Sequence, residues 1–149
     1  MPTTLYLDDL AVGRKFATRE VTLTVEGCKA FAAEFDPQPF HLDEAAARQS
    51  VFGRLAASGW YTASLTMRLI VEGELTIAGG IVGLASEMKW PKPVYPGDTL
   101  RVECQVLEVR VSESKPDRGI VTMRNQTLNQ RGEAVQVAVV KLLVPRRAA

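Results

Sequence analysis

The chain has little of what metal and disulfide chemistry requires. Its 149 residues include a single histidine, His41, and two cysteines, Cys28 and Cys104, which lie far apart in the sequence. A structural zinc site needs four closely spaced ligands, so we expect no bound metal. One disulfide is left open, but isolated cysteines are more typical of small buried hydrophobic residues in a reducing compartment.

The chain also lacks an excess of either charge. It has 18 basic and 17 acidic residues and a formal net charge of +1. Nucleic-acid binding usually requires a clustered basic face, because phosphate contacts supply much of the affinity. The only local basic excess is Pro145-Arg146-Arg147 near the C-terminus, which is more typical of a solvated tail. We therefore expect no nucleic-acid partner.

Targeting and membrane segments are missing as well. The first ten residues, MPTTLYLDDL, contain neither the basic region nor the apolar core of a signal peptide. No apolar run approaches the ~18 residues that span a bilayer. The chain shows no repeats or linker-like stretches, and its hydrophobic content of 46% is enough for a packed core. We expect one domain over residues 1–149, a cytoplasmic location and no membrane partner.

The first half of the chain shows helical periodicity after a short N-terminal segment. Thr24 is a suitable N-cap for a helix that Pro37 ends, and a short helix with early acidic residues follows His41. A third helix is predicted to begin at Ser58-Gly59 and to continue through WYTASLTMRLIVEG. Because this helix is apolar around most of its circumference, we expect it to be buried on several sides.

The second half changes to the twofold alternation of β-strands. Four segments rich in Val, Leu, Ile and Thr are separated by turn sequences that contain Gly, Pro, Asn and Asp. The alternation in DTLRVECQVLEVRV slips at Leu107, which predicts a bulge or a strong bend. Short turns between the strands indicate antiparallel pairing. The sequence therefore predicts an α+β domain in which a curved antiparallel sheet wraps around a central helix at about residues 59–72.

The segment EFDPQPFH combines the only histidine with a carboxylate five residues earlier. Pro37 and Pro39 separate Asp36 from His41, and they lower the entropy that is lost when both side chains are fixed. An imidazole and a carboxylate are common general acid–base groups near neutral pH. An ordinary explanation stays open at this point, in which His41 is a partly exposed residue at a helix start and Asp36 belongs to a rigid turn.

The predicted start of the third helix supplies a complementary feature. Ser58 is a good N-cap residue, and Gly59 allows a substrate to approach the backbone closely. Free amide groups at a helix start carry about half a positive charge and can bind a developing oxyanion. An ordinary capped helix with glycine at a tight turn explains the same two residues.

Taken as a whole, the run FDPQPFHLDEAAARQSVFGRLAASGW resembles the MaoC-like dehydratases, which include the (R)-specific enoyl-CoA hydratases. The positions that match the family motif are Asp36, Pro39, His41, Asp43 and Gly59. A later run, KWPKPVYPGDTLRVECQVLEVR, is similar to the strand, turn and strand that follow in this family. The resemblance implies the hot-dog fold, a sheet wrapped around one long helix. It also implies dimers or larger assemblies of dimers, with acyl-thioester sites near subunit interfaces.

The resemblance implies the chemistry too. Asp36 and His41 would hold and polarise a water that adds to a trans-2-enoyl-CoA, or to a similar carrier-bound thioester, and gives an (R)-3-hydroxyacyl thioester. The same groups would serve the reverse dehydration, and the Gly59 amide would bind the thioester oxygen. No metal or other cofactor is implied, since coenzyme A enters as part of the substrate. Three weaker candidates for substrate contacts are Ser58, Trp60 and Ser64.

Two positions depart from the family pattern. Gln38 takes the place of an asparagine that is frequent in the family, and Met67 takes the place of a serine that some members carry on the central helix. Ser64 and Thr66 are the nearest hydroxyl groups to Met67. Whether either replaces the missing serine depends on the phase of the helix.

Two other functions stay open from the sequence. A thioesterase on the same fold also needs a carboxylate and a helix-end oxyanion site, but such enzymes usually lack the paired Asp36 and His41. The second alternative is a partner-dependent, non-catalytic subunit of a dehydratase, against which the presence of both residues argues. A serine hydrolase and a dinucleotide-binding enzyme are disfavoured, because the chain has no Gly-x-Ser-x-Gly elbow and no glycine-rich fingerprint after a strand.

Overall fold

Six strands form the sheet of the computed structural model, which describes residues 3–148. They are β1 (Lys15–Ala17), β2 (Val21–Thr22), β3 (Val82–Lys89), β4 (Thr99–Val111), β5 (Arg118–Leu128) and β6 (Ala134–Pro145). The strands pair antiparallel in the order β1-β4-β5-β6-β3, and β2 pairs with the beginning of β4. The helices are α1 (Val25–Phe35), α2 (Pro39–Leu42), α3 (Glu44–Arg48) and α4 (Gly59–Glu72), and a 3-10 helix covers Leu7–Asp9.

Strands β4 and β5 follow the predicted alternation, whereas β3 is exposed along most of its length. In β4, four alternate residues are at most 2% exposed: Leu100, Val102, Cys104 and Val106. The pairing of β4 with β5 then shifts register between Val106 and Glu108. The bulge predicted at Leu107 is therefore confirmed, and residues beyond it on β4 are no longer alternately buried.

Local sequence explains where the longer helices begin and end. The Thr24 hydroxyl accepts a hydrogen bond from the amide three residues later at 3.0 Å, so the predicted N-cap of α1 is confirmed. This helix ends at Phe35, because Pro37 disfavours a helical conformation of the residue before it. Ser58 caps α4 by accepting from the Trp60 amide at 3.2 Å, as predicted.

Three short elements differ from the sequence prediction. Strands β1 and β2 have only three and two residues, which are too few for an alternating pattern to be recognised. The segment Pro39–Leu42, expected as a proline-stiffened loop, forms the helical turn α2 with Pro39 at its start. Proline is tolerated there because the first helical residue needs no amide hydrogen. His41 therefore projects from a helical turn.

The central helix α4 packs one face against the sheet. Its buried residues are Thr62, Thr66, Leu69 and Ile70, and the last two belong to the main hydrophobic core. The opposite face exposes Trp60, Met67 and Val71 by 59%, 47% and 58%. The expectation that α4 is buried on several sides is therefore wrong for a single chain, because one sheet covers only one side of the helix. Neither α4 nor any other helix within residues 3–148 has the length and apolar character needed to cross a bilayer.

Both cysteines are free and buried. Cys28 and Cys104 belong to two separate hydrophobic clusters, so the disulfide that the sequence left open is absent. Burial raises the pKa of the Cys28 thiol to about 11 and that of the Cys104 thiol to about 12. Both side chains therefore pack as small hydrophobic residues.

Gly119 on β5 lies where the N-terminal segment approaches the sheet most closely. A methyl group added there would lie 2.5 Å from the Arg110 carbonyl oxygen and 2.5 Å from Leu7 Cδ2. We expect Gly119→Ala to lower the free energy of unfolding by about 1–3 kcal/mol, because such overpacking displaces the backbone. Urea unfolding measures the change. The matched control is Gly83→Ala on β3, where an added methyl group meets no atom within 4 Å; equal losses in both variants would contradict this prediction.

Candidate active site

The end of α1, the turn α2 and the start of α4 meet around a cavity of about 440 Å³, which we call the catalytic cavity. Asp36 is the C-cap residue that follows α1, His41 lies on α2, and Gly59 is the first residue of α4. All three line the cavity, together with Trp60 and Trp90. The structure therefore brings together the acid–base pair and the helix start that the sequence singled out.

His41 is held in one orientation by a backbone hydrogen bond. Its ring is 5% exposed, and Nδ1 lies 2.7 Å from the Ala56 carbonyl oxygen. Because a carbonyl oxygen only accepts, we assign the hydrogen to Nδ1. The other ring nitrogen, Nε2, is then free to exchange a proton, and it lies 3.3 Å from Asp36 Oδ2. The Phe40 ring contacts the imidazole edge to face, with the ring centroids 4.6 Å apart.

Asp36 is kept ionised by two hydrogen-bond donors. Ser58 Oγ donates to Oδ2 at 2.7 Å, and Gln38 Nε2 donates to Oδ1 at 2.6 Å. Burial by itself raises the pKa of Asp36, but these two hydrogen bonds and the nearby charge of a protonated His41 lower it below the usual value of 3.8. At neutral pH the side chain is therefore a carboxylate that can accept hydrogen bonds.

Gly59 presents a free amide to the same cavity. As the first residue of α4, its amide has no partner inside the helix, and no acceptor for it occurs within residues 3–148. The indole ring of Trp90 packs directly against this residue, since a methyl group added at Gly59 would lie 2.8 Å from Trp90 Cε2. Glycine is therefore required here by the close approach of Trp90.

The three weaker candidates lie in different environments. Ser58 is fully buried, and its hydroxyl points to Asp36 and not into the cavity. Trp60 lines the cavity and contacts Trp90 edge to face, with the ring centroids 5.1 Å apart. Ser64 lies on the exposed side of α4, where its hydroxyl donates to the Trp60 carbonyl oxygen at 2.8 Å. Contacts of these three residues with a substrate stay predictions. The hydrogen bond from Ser58 to Asp36 makes Ser58 a residue that positions Asp36.

Neither hydroxyl group near Met67 reaches the catalytic cavity. Ser64 lies outside its wall, and the buried Thr66 belongs to a second cavity described below. The Thr66 hydroxyl donates to the Thr62 carbonyl oxygen at 2.8 Å and lies 2.6 Å from Thr127 Oγ1. Neither Ser64 nor Thr66 therefore replaces, in the catalytic cavity, the serine that some family members carry at this position.

Sequence reasoning missed Trp90 and its partner Gln136. The Trp90 Nε1 group donates to Gln136 Oε1 at 2.9 Å across 46 residues of sequence. Gln136 is 1% exposed and occupies an inward position on β6. A glutamine in an otherwise apolar strand was the available signal, but no local pattern identifies its partner.

Comparison with known proteins identifies the family of the chain. The MaoC like domain family matches the chain over residues 9–129. The chain belongs to this family. The crystal structure of the MaoC-like dehydratase from Rhodospirillum rubrum is 55% identical in sequence, with a TM-score of 0.95, and the match covers 97% of this chain and 99% of that chain.

Two relatives match over most of their length. The uncharacterized protein YdeM of Bacillus subtilis is 32% identical over 144 residues, which cover 94% of this chain and 99% of YdeM. The (R)-specific enoyl-CoA hydratase of Aeromonas caviae is 32% identical over 134 residues, which cover 88% of this chain and 90% of the hydratase. Together with the R. rubrum structure, these similarities confirm the family and the hot-dog fold predicted from the sequence.

Ser58 should control the acidity of Asp36. In Ser58→Ala the carboxylate loses one of its two hydrogen-bond donors, so we expect its pKa to rise. Loss of the N-cap should also lower the free energy of unfolding by about 1 kcal/mol. An NMR titration of the Asp36 carboxyl carbon measures the pKa. The control is Ser64→Ala, which removes a hydroxyl from the same helix without affecting Asp36.

The variants Ser58→Ala and Ser64→Ala also test how the stability of the folded state depends on pH. A lowered pKa of Asp36 stabilises the folded state above about pH 4, and this contribution is lost as the pH falls through the folded-state pKa. Stability below pH 4 should therefore depend less on pH in Ser58→Ala than in the wild type. An Asp36 pKa that does not change on removal of the Ser58 hydroxyl would contradict the assigned hydrogen bond.

Proposed function

We propose that the protein adds water to trans-2-enoyl thioesters to give (R)-3-hydroxyacyl thioesters, and that it catalyses the reverse dehydration. The observation that carries the proposal is the 3.3 Å distance between His41 Nε2 and Asp36 Oδ2 in a cavity that Gly59 also lines. The relationship to an (R)-specific enoyl-CoA hydratase supports the same reaction.

The acid–base pair suits the activation of one water molecule. The Asp36 carboxylate accepts one hydrogen of the water, and the lone pair on His41 Nε2 accepts the other as a proton, because Nδ1 is occupied by Ala56. The water oxygen forms a bond to the β-carbon while the π electrons of the double bond move towards the thioester oxygen. The protonated His41 then delivers its proton to the α-carbon, so that one water is added in total.

The negative charge that develops on the thioester oxygen requires a hydrogen-bond donor. We propose that the Gly59 amide is this donor, assisted by the positive end of the 14-residue helix α4. Each proposed step uses only these protein groups and the water, so we propose a reaction without a bound cofactor. The thioester is presented by coenzyme A or by a carrier protein, and parallel assays of the two forms distinguish them.

Removal of either acid–base group should abolish most of the activity. We expect His41→Ala and Asp36→Asn each to lower kcat/KM for a short trans-2-enoyl-CoA by about 10²–10⁴-fold, the typical effect of a positioned proton-transfer group. Loss of the absorbance of the conjugated double bond measures hydration, and circular dichroism verifies the fold of each variant. Val12→Lys, at an exposed N-terminal position, should retain its activity. Full activity in the His41 or Asp36 variant would count against the proposal.

The same assays separate the two alternative functions. A thioesterase directs water to the carbonyl carbon and releases free thiol from a saturated acyl-CoA, which a hydratase does not. A supporting subunit shows no turnover by itself and acts only after a catalytic partner is added. Either result would replace the proposed function with the corresponding alternative.

We also propose that two copies of the chain pair through β3. This strand is an eight-residue edge of the sheet, and within residues 3–148 it pairs only with β6. Its side chains are largely exposed, including Val82 at 48% and Leu84 at 51%. A long, apolar edge strand is a template for pairing with another strand. Antiparallel pairing with the β3 of a second copy satisfies twofold symmetry and continues the sheet.

A charge in the middle of β3 should prevent this pairing. In a symmetric antiparallel pair, Ala85 lies close to its own copy, so Ala85→Lys would place two like charges near each other at the interface. We expect light scattering to give a dimer mass for the wild type and a monomer mass for Ala85→Lys. The control is Val12→Lys at an exposed N-terminal position, which should remain dimeric. A monomeric wild type would rule out the proposed interface.

A further inference from the structure

A second cavity lies between α4 and the inner face of the sheet. Its volume is about 380 Å³, and we call it the helix–sheet cavity. Residues of α4, β3, β5 and β6 form its mostly apolar wall. Four polar side chains interrupt this wall: Thr66, Ser86, Asn125 and Gln136.

Among the buried polar residues of this wall that the structure describes, Asn125 is the one with a side-chain oxygen that lacks a partner. It occupies an inward position on β5 and is 7% exposed. Its Oδ1 atom is buried and has no hydrogen-bond partner within residues 3–148. By contrast, Thr66 bonds to Thr62 and Thr127, and Gln136 bonds to Trp90. A buried amide oxygen without a partner is destabilising and therefore needs an explanation.

The neighbours of Asn125 on the sheet offer it no strong hydrogen bond. Cys104 on β4 lies on one side and Ala138 on β6 on the other, and Met88 on β3 follows Ala138 in the same row. The small side chain of Ala138 leaves open space beside the amide. The open space that can hold a partner for Asn125 is the helix–sheet cavity, whose wall Asn125 lines.

The helix–sheet cavity lies next to the catalytic cavity along α4. Thr62 lines the catalytic cavity, and Thr66, one turn later, lines the helix–sheet cavity. Trp90 lies at the boundary, because it belongs to the wall of the first cavity and donates to Gln136 in the wall of the second. Thr66 is seven residues beyond Gly59, or roughly 10 Å along the helix axis at 1.5 Å per residue. An acyl chain whose thioester binds at Gly59 can therefore extend towards Asn125.

The uncharged wall of the helix–sheet cavity restricts which chemical group the far end of the acyl chain can carry. Among the residues that the structure describes, no charged one contributes to the wall of the helix–sheet cavity. A carboxylate placed there would lose its hydration without gaining a cation, which is strongly unfavourable. A neutral hydroxyl or keto group fits better, because the Asn125 amide both donates and accepts hydrogen bonds.

We propose that Asn125 selects substrates whose acyl chain carries a neutral hydrogen-bonding group beyond the reacting double bond. This inference rests on the proposed hydratase function. The thioester binds at Gly59, the chain passes Trp90 along α4, and its apolar part fills the helix–sheet cavity. A hydroxyl or keto group at its far end pairs with Asn125.

The test compares enoyl-CoA substrates in matched sets over a series of chain lengths. Each set contains a chain that ends in a methyl group, the same chain with a terminal hydroxyl, and the same chain with a terminal carboxylate. At the best length we expect kcat/KM for the hydroxylated substrate to exceed that of the plain substrate by about tenfold, the usual effect of one satisfied buried polar group. The carboxylate form should be the poorest substrate of the three.

Two variants of β5 show whether Asn125 is responsible. Asn125→Leu, whose side chain has the same branching and the same number of heavy atoms, should reverse the preference so that the plain chain is the better substrate. Gln126→Leu is the matched control, because successive side chains of a strand point to opposite faces of the sheet, and it should retain the wild-type preference. Asn125→Val serves the same purpose if the leucine variant does not fold. An equal rate with hydroxylated and plain chains at every length, or an unchanged preference in the Asn125 variants, would overturn the proposal.

Binding measurements separate this inference from the proposed reaction. Calorimetry with the saturated hydroxylated and plain acyl-CoA pair requires no turnover. Tighter binding of the hydroxylated chain by the wild type, lost in Asn125→Leu, would support the role of Asn125 even if no enoyl-CoA were hydrated. Hydration of plain enoyl-CoA with no such difference in binding would support the hydratase and overturn the selection by Asn125.

Discussion

The candidate site depends on one hydroxyl group, that of Ser58. It donates to Asp36 at the end of α1 and accepts from the Trp60 amide at the start of α4. This arrangement joins the carboxylate to the helix end whose free amide belongs to Gly59. Because Ser58 is fully buried, water does not compete for either bond. A single buried hydroxyl group thus joins the proposed acid–base pair to the proposed oxyanion site.

The uneven covering of α4 explains the other functional features of the molecule. The sheet covers one face of the helix and leaves Trp60, Met67 and Val71 exposed. Within residues 3–148 it also leaves the edge strand β3 without a neighbour on one side. The helix–sheet cavity opens between these two uncovered elements, with Met67 and Leu84 both in its wall. The proposed substrate binding and the proposed pairing of two copies therefore draw on the same incompletely covered part of the fold.

Features that depend on neighbouring residues could be predicted from the sequence. The Thr24 and Ser58 caps, the end of α1 before Pro37 and the bulge at Leu107 each follow from residues within a few positions. The same holds for the closeness of Asp36 and His41, which are joined by a short, stiff segment. Strands β1 and β2 were missed because they are too short to show a period, and their place in the sheet comes from pairing with β4.

The sequence by itself determined the α+β class, the helix around which the sheet folds, and the acid–base pair, because helix caps, alternation and a short proline-containing segment act over local distances. Only the tertiary structure decided what surrounds that pair. The contact of Trp90 with Gly59 and the hydrogen bond of Trp90 to Gln136 join residues far apart in the chain. The unpaired amide of Asn125 was likewise visible only after packing, since its meaning depends on which groups the folded sheet places around it.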